Sequence, residues 1–181
     1  ESYDYVGDFN AQYEIDNTNL EAMQNYAVDG IAVVRYDGLQ ARSFFYDYEL
    51  GAADAQKAAE LKRYATAADV ISRVKHTKSF QFYKVLDGKL AVVAVAQITR
   101  RDNSGVPRGF MVFARTFDQS ALNEALQLKG RVLLKSVKSD LSIVTHGGHI
   151  DVVKCIVDDM GAPIAAVAFS VERAMMQRGW Q

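Results

Sequence analysis

The sequence predicts an α+β fold. It should have a long N-terminal helical arm and a mainly antiparallel sheet with flanking helices. Three observations carry this. Tyr5, Phe9 and Tyr13 recur every four residues, the spacing of one helical face. The apolar period then shortens, and β-branched or aromatic runs are joined at Asp37-Gly38 and again at Asp87-Gly88, the short-range signature of a hairpin. The last third is strand-rich, with Gly147-Gly148 and Met160-Gly161 supplying turns.

Taken in order, Asp16-Asn17-Thr18-Asn19 interrupts the opening helix with residues that favour caps and turns. Thr18 and Glu21 fit a capping box. Leu20, Met23 and Ala27 give a second amphipathic stretch, so residues 1–28 form the arm. Ile31–Tyr36 and Leu39–Tyr48 read as strands. Ala52–Val74 reads as helix, and Thr66 with Asp69 allows it to be two. Ser79–Leu86, Lys89–Arg100 and Gly109–Phe117 form a three-stranded meander, with Asn103-Ser104-Gly105 turning the chain. Asp118 reads as N-cap of a helix over Gln119–Leu128. Arg131–Val137, Leu141–His146, His149–Asp158 and Pro163–Val171 are further strands, and Glu172–Arg178 begins an exit segment, 172–181. No Pro/Gly-rich linker divides the chain, so it reads as one domain over 1–181, its sheet and helices within 29–171.

Composition narrows function. The 181 residues are 49% apolar and 24% charged, with net charge −1, values of a globular domain that do not mark a nucleic-acid binder. The mean hides an asymmetry: residues 1–60 carry twelve acids and three bases, the rest ten acids and eighteen bases. An acidic arm packed on a more basic sheet would have this pattern. No apolar run reaches the ~20 residues that span a bilayer, and the opening Glu-Ser-Tyr-Asp-Tyr does not read as a signal peptide. The single cysteine, Cys155, has no disulfide partner in the chain. It lies among Val152, Val153, Ile156 and Val157 and reads as a buried, inert thiol.

Catalytic signatures are absent: there is no G-x-S-x-G, P-loop, H-E-x-x-H or G-x-G-x-x-G. His146 and His149 flank Gly147-Gly148 and would face each other across a hairpin. With Asp151 they could clip a metal, but a solvated turn is the expected reading, so no metal site and no cofactor is assigned. The central strands are more informative. Tyr83 shares a strand face with Gln81 and Val85; Gln97 and Thr99 alternate with Ile98. Met111, Phe113, Arg115 and Phe117 share another face. Tyr83, Gln97, Arg115 and Phe113 are therefore the candidate ligand-binding residues, polar groups beside apolar ones as small-ligand sites require. An Arg115 buried among Met and Phe would need a carboxylate from the acidic arm or an anion on a ligand.

Several motifs point to one family. Asp4-Tyr5-Val6-Gly7-Asp8-Phe9-Asn10-Ala11-Gln12-Tyr13-Glu14, followed by Asp16 and Asn19, resembles the opening of the fourth CHASE class of extracytoplasmic sensor domains. Phe9 stands where that family usually has Trp and Asn10 where it usually has Asp; Ala11 departs as well. Val33-Val34-Arg35-Tyr36-Asp37-Gly38 resembles its first strand and turn. Pro107-Arg108-Gly109 through Arg115 resembles its Pro-x-Gly, apolar strand and Arg. Val157-Asp158-Asp159-Met160-Gly161-Ala162-Pro163 through Arg173 resembles its closing hairpin. The resemblance implies a PAS/Cache-like sheet in a non-catalytic periplasmic input domain excised from between two transmembrane helices of an inner-membrane receptor. It implies a small-molecule ligand or a periplasmic protein partner and a homodimer formed through the N-terminal helix. The output would be cyclic-di-GMP synthesis or hydrolysis, or a histidine kinase. The alternative is a structural or protein-docking module with a closed core and no small ligand; an enzyme of unrecognised mechanism stands third.

Overall fold

The computed structural model describes residues 2–100, 105–117, 120, 123–124, 130–134, 141–146 and 149–172. The elements in order are α1 (Ser2–Asp8), α2 (Ala11–Asn17), α3 (Leu20–Asn25), β1 (Gly30–Arg35), β2 (Ala41–Asp47), β3 (Ala52–Ala53), α4 (Ala55–Ala65) and α5 (Ala68–Thr77). They continue as β4 (Ser79–Leu86), β5 (Lys89–Ile98), β6 (Gly109–Thr116), β7 (Gly130–Leu133), β8 (Leu141–His146), β9 (His149–Val157) and β10 (Pro163–Glu172). The strands sort into two sheets, ordered β3-β2-β1-β6-β5-β4 and β7-β10-β9-β8. Every pairing given is antiparallel. The expected α+β, mainly antiparallel fold is therefore what the chain adopts, with its strands in two sheets rather than one. The chain divides into two compact units, Glu1–Phe82 with Ala91–Thr116, and Tyr83–Leu90 with Phe117–Gln181. The expected Asp118 cap, most of the 119–128 helix, the end of the 131–137 strand, Asn103-Ser104, the Gly147-Gly148 turn and the exit segment beyond Glu172 lie outside the described residues.

The N-terminal arm is not one long helix but three short ones. Phe9 turns left-handed at φ 53°, a conformation that cannot continue a right-handed helix. The Asn10 side chain then accepts from the amides of Gln12 (2.8 Å) and Tyr13 (3.3 Å), starting α2. Thr18 Oγ1 donates back to Glu14 O at 2.6 Å, and Asn19, not Thr18, caps α3 through the Ala22 amide at 2.9 Å. These short polar side chains offer the backbone a local alternative to a continued helix. The aromatic periodicity survives the breaks: the Tyr5 and Tyr13 rings stack at 4.3 Å, and Phe9 meets Tyr5 edge-on at 5.2 Å.

In the first unit, register assigns two faces to the sheet. Ile31 and Val33 of β1 pair with Phe113 and Met111 of β6, and Phe113 pairs with Ala94 of β5. This face carries a core of Tyr5, Val6, Met23, Ile31, Val33 and Ile98, so α1 and α3 cover it. The alternate residues Ala32, Val34, Phe110, Val112, Ala114, Val93 and Val95 are all buried on the other face. There Leu61 of α4 lies over Gly30, and Ser43 Oγ donates to Ala58 O of α4 at 2.8 Å. Strand alternation with both faces covered gives β1 its near-continuous apolar sequence. Each fully buried Val or Ile contributes roughly 1.5–3 kcal/mol.

Tyr5 fastens α1 to this core. Its ring is buried and its hydroxyl donates to Glu14 Oε1 at 2.8 Å. Burial first, then that hydrogen bond, pushes the phenol well above its usual range. Glu14 also pairs with Arg42 Nε at 3.2 Å. Tyr5→Phe should therefore cost about 1 kcal/mol, since Glu14 keeps Arg42. The urea midpoint should fall with its slope unchanged; an unaltered midpoint would mean the hydroxyl contributes nothing.

Candidate functional site

Phe113 and Arg115 lie two apart on β6, on the face covered by the N-terminal helices. Phe113 is half-buried, with the Tyr26 ring at 6.3 Å. Arg115 is exposed rather than buried, because it sits at the end of β6 beyond the packed core. Its Nη1 donates to Ala27 O at 3.0 Å, in the link between α3 and β1. The acidic arm thus meets Arg42 through Glu14, while Arg115 takes a backbone carbonyl. A guanidinium has five N–H donors in a planar fork, so the geometry leaves it able to grip an anion.

Neighbouring residues give this corner definition. Asp29 Oδ2 accepts from both the amide and the hydroxyl of Thr116 at 2.5 Å, locking the end of β6 to the start of β1. Tyr48 Oη donates to Val28 O at 2.8 Å, and its ring lies 5.3 Å from Tyr46. Burial and the Asp29 carboxylate push the Tyr48 phenol up, while Arg115 pulls it down. Tyr26 beside Phe113 and Tyr46 beside Tyr48 thus give this corner aromatic surface, and the charges of Arg115 and Asp29 both reach the Tyr48 phenol.

Gln97 lies elsewhere. It pairs with Phe110, on the sheet face opposite Arg115 and Phe113. There it clamps the end of α5: its Nε2 donates to Val74 O at 2.9 Å, and its amide donates to Lys78 O at 2.8 Å. Lys78 closes the helix at φ 62°. A cleft of about 740 Å³ opens beside this junction. Lys75, His76, Lys78 and Ser79 line one side, Ala96, Gln97 and Thr99 of β5 another, and Gly105 and Pro107 the rest. Tyr83 belongs to the second unit, where it is 37% exposed with its ring 6.1 Å from Phe117. Of the candidates in the first unit, Phe113 and Arg115 share a sheet face and Gln97 lies on the other.

In the second sheet His146 pairs in register with His149, and Asp151 is hydrogen-bonded by Ser170 Oγ. Among the described residues no group of three or more His, Cys, Asp or Glu could hold a metal. Cys155 is a buried free thiol. No described helix is long and apolar enough to cross a membrane.

Two features escape the strand-face reading of the sequence. One is the cationic cleft, whose trace in the sequence is Lys75-His76-Thr77-Lys78 at a helix end. The other is the buried Lys57, paired with Asp47 at 2.9 Å and Asp54 at 3.0 Å. Asp54 three residues before Lys57 was its only local trace; Asp47 comes from a different element.

Residues 1–132 match the CHASE4 domain, and the chain belongs to that family, the class of extracytoplasmic sensor domains its motifs resemble. Its fold is similar to that of the extracellular domain of vpHK1S-Z8, a candidate histidine kinase, with TM-score 0.50 and 12% identity over 98% of this chain and 81% of that one. The periplasmic domain of Vibrio cholerae LuxQ gives TM-score 0.49 and 10% identity over 94% and 84%. The ligand-binding domain of the Pseudomonas fluorescens chemoreceptor CtaA, in complex with L-isoleucine, gives 0.45 and 9% over 96% and 80%. No curated protein matches the sequence.

Proposed function

We propose that this chain is the non-catalytic signal-input domain of an extracytoplasmic receptor and recognises a small ligand at the Phe113–Arg115 corner. CHASE4 membership over residues 1–132 carries this reading, and the corner geometry supports the placement. Arg115 reaches the carbonyl of Ala27, so a ligand that takes up its remaining donors acts on the α3–β1 link. Binding becomes signal if two positions of that link differ in ligand affinity. On this reading both compact units belong to one input module. Protomers pair through the N-terminal helices, where Ile15 is 64% and Leu20 37% exposed. The coupled output is a cyclic-di-GMP enzyme or a histidine kinase. Gln97, on the opposite sheet face, lies outside this corner.

A thermal-shift screen of small metabolites against the wild type and Arg115→Ala, with sedimentation velocity, tests the proposal. A ligand at about 100 times its Kd should stabilise by about 2.7 kcal/mol, a Tm rise of at least about 5 °C for a chain of this size. Arg115→Ala should lose that rise, and the sedimentation coefficient should respond to the ligand. A protein that no metabolite stabilises, and that stays a monomer throughout, would be the closed docking module instead.

A further inference from the structure

We propose that the cleft at the end of α5 binds a small oxyanion carrying two or more negative charges, held chiefly by Lys75 and Lys78. The site is distinct from the Phe113–Arg115 corner, since its β5 residues Ala96 and Gln97 pair with Met111 and Phe110 whereas Arg115 pairs with Val92 at the other end of that ladder, and it does not depend on the sensor reading.

The cleft has the size of small-ligand sites, 740 Å³ against roughly 300–1,000 Å³. Its described lining includes two lysines, a histidine, a serine and a glutamine, and no carboxylate. Cations in the last turn of a helix ordinarily serve to offset the carbonyl end of the helix dipole. Here other groups cap that end. Val74 O accepts from the Lys78 amide at 3.1 Å and from Gln97 Nε2 at 2.9 Å. The Lys75 ammonium instead lies 5.3 Å from the Tyr36 ring centroid, so its side chain is not spent on capping.

Lys75 and Lys78 line the same cleft, so their like charges repel across it. Arg100 adds to the positive field, its side chain running beside Gly105 at the cleft wall. A dianion would relieve this repulsion and gain charge-assisted hydrogen bonds. His76 Nδ1 lies 2.7 Å from Ser72 O. Because a carbonyl oxygen only accepts, that contact makes Nδ1 an N–H donor and orients the imidazole. Carboxylates and phosphates share the required chemistry.

The test uses citrate and inorganic phosphate as separate probes, with ionic strength held constant by sodium chloride. At least one should raise Tm above the chloride control and move the backbone amide resonances of residues 75–79 and 97–99. A response to citrate alone identifies a carboxylate site, and a response to phosphate alone a phosphate site. Lys75→Gln/Lys78→Gln should weaken the responding probe about tenfold or more, while Lys62→Gln, in the last turn of α4 and outside the cleft lining, binds it as the wild type does. No response to either probe would overturn the proposal, as would undiminished binding in the double variant. Should the double variant fail to fold, the wild-type resonance map decides: shifts confined to other residues overturn it.

Discussion

Asp47→Asn should lower the stability of the first unit by about 3 kcal/mol, the low end of the cost of breaking a buried ion pair. Lys57 projects from the first turn of α4 with its side chain 8% exposed, between Asp47 (10%) and Asp54 (21%). Its ammonium also lies 5.7 Å from the Phe45 ring centroid. Asparagine preserves the shape of the aspartate and can still accept from the Glu49 and Leu50 amides, as Asp47 does at 3.0 and 3.1 Å. What it removes is the closer of the two carboxylates paired with a buried cation, Asp54 being the other. Lys57→Met in that background deletes the stranded charge and should recover at least about 1 kcal/mol as coupling. Equilibrium urea unfolding of the four proteins of this cycle measures it. Simple additivity would show that the pair is not coupled.

The same pair sets an acid limit. Hydrogen bonding from Lys57, then from the Leu50 amide, holds the Asp47 carboxyl down to about 2. A depressed carboxyl stabilises the fold above its unfolded pKa and loses that contribution as pH falls through the folded value. The shift from 3.8 corresponds to about 2 kcal/mol, so wild-type stability should fall between about pH 4 and pH 2. Asp47→Asn should be flatter over that window. Lys57 is shifted upward by Asp47, so its contribution holds below its usual range near 10.5 and fades only in strong alkali.

Gly109→Ala should cost about as much, by a different route. A Cβ at Gly109 would lie 2.2 Å from Val34 O and 2.8 Å from Val6 Cγ2. The first neighbour is backbone, which no rotamer change can move aside. Gly109 pairs with Arg35 at the end of the β1–β6 ladder, so relief requires opening that ladder or displacing α1. An overpacked core site of this kind costs about 3 kcal/mol, a fall of roughly 6–12 °C in Tm. Gly88→Ala is the control: nothing lies within 4 Å of its Cβ position, and only its φ of 73° opposes alanine, at about 1 kcal/mol. Equal losses at the two sites would refute the steric account of Gly109.

Gly109 also shows what a sequence can reveal. Pro107-Arg108-Gly109 is legible as a motif, but its reason, the approach of Val34 O and Val6, comes from residues some seventy-five and a hundred positions away. Strands marked by Asp-Gly turns were legible because their signals are local: the hairpin across Asp37-Gly38 pairs as expected, with Gly38 at φ 71°. The breaks in the arm were only half legible, since the polar run at 16–19 is visible whereas the left-handed turn at Phe9 is not a preference of phenylalanine. The site was least legible. Alternation within a strand tells which residues share a face of that strand, not how faces of neighbouring strands align. Register alone separates Gln97 from Arg115. The charge asymmetry was real but misleading, because the described pairs Glu14–Arg42, Asp37–Arg35 and Asp47–Lys57 all close within the first sixty residues.

The division of the arm into three has a mechanical consequence. A continuous helix behaves as a rod and delivers a displacement at one end nearly unchanged to the other. Here joints at Phe9–Asn10 and Thr18–Asn19 interrupt the load path. A push on α1 is borne first by the anchorage of Tyr5 and Val6 in the core, and by Tyr3, whose ring lies 5.2 Å from the guanidinium of Arg100 and 4.5 Å from that of Arg108. The arm is thus compliant along its length and stiff where it is moored. Across the first joint α1 and α2 are tied by side chains, the Tyr5–Tyr13 stack and the Tyr5–Glu14 hydrogen bond, in place of continuous backbone.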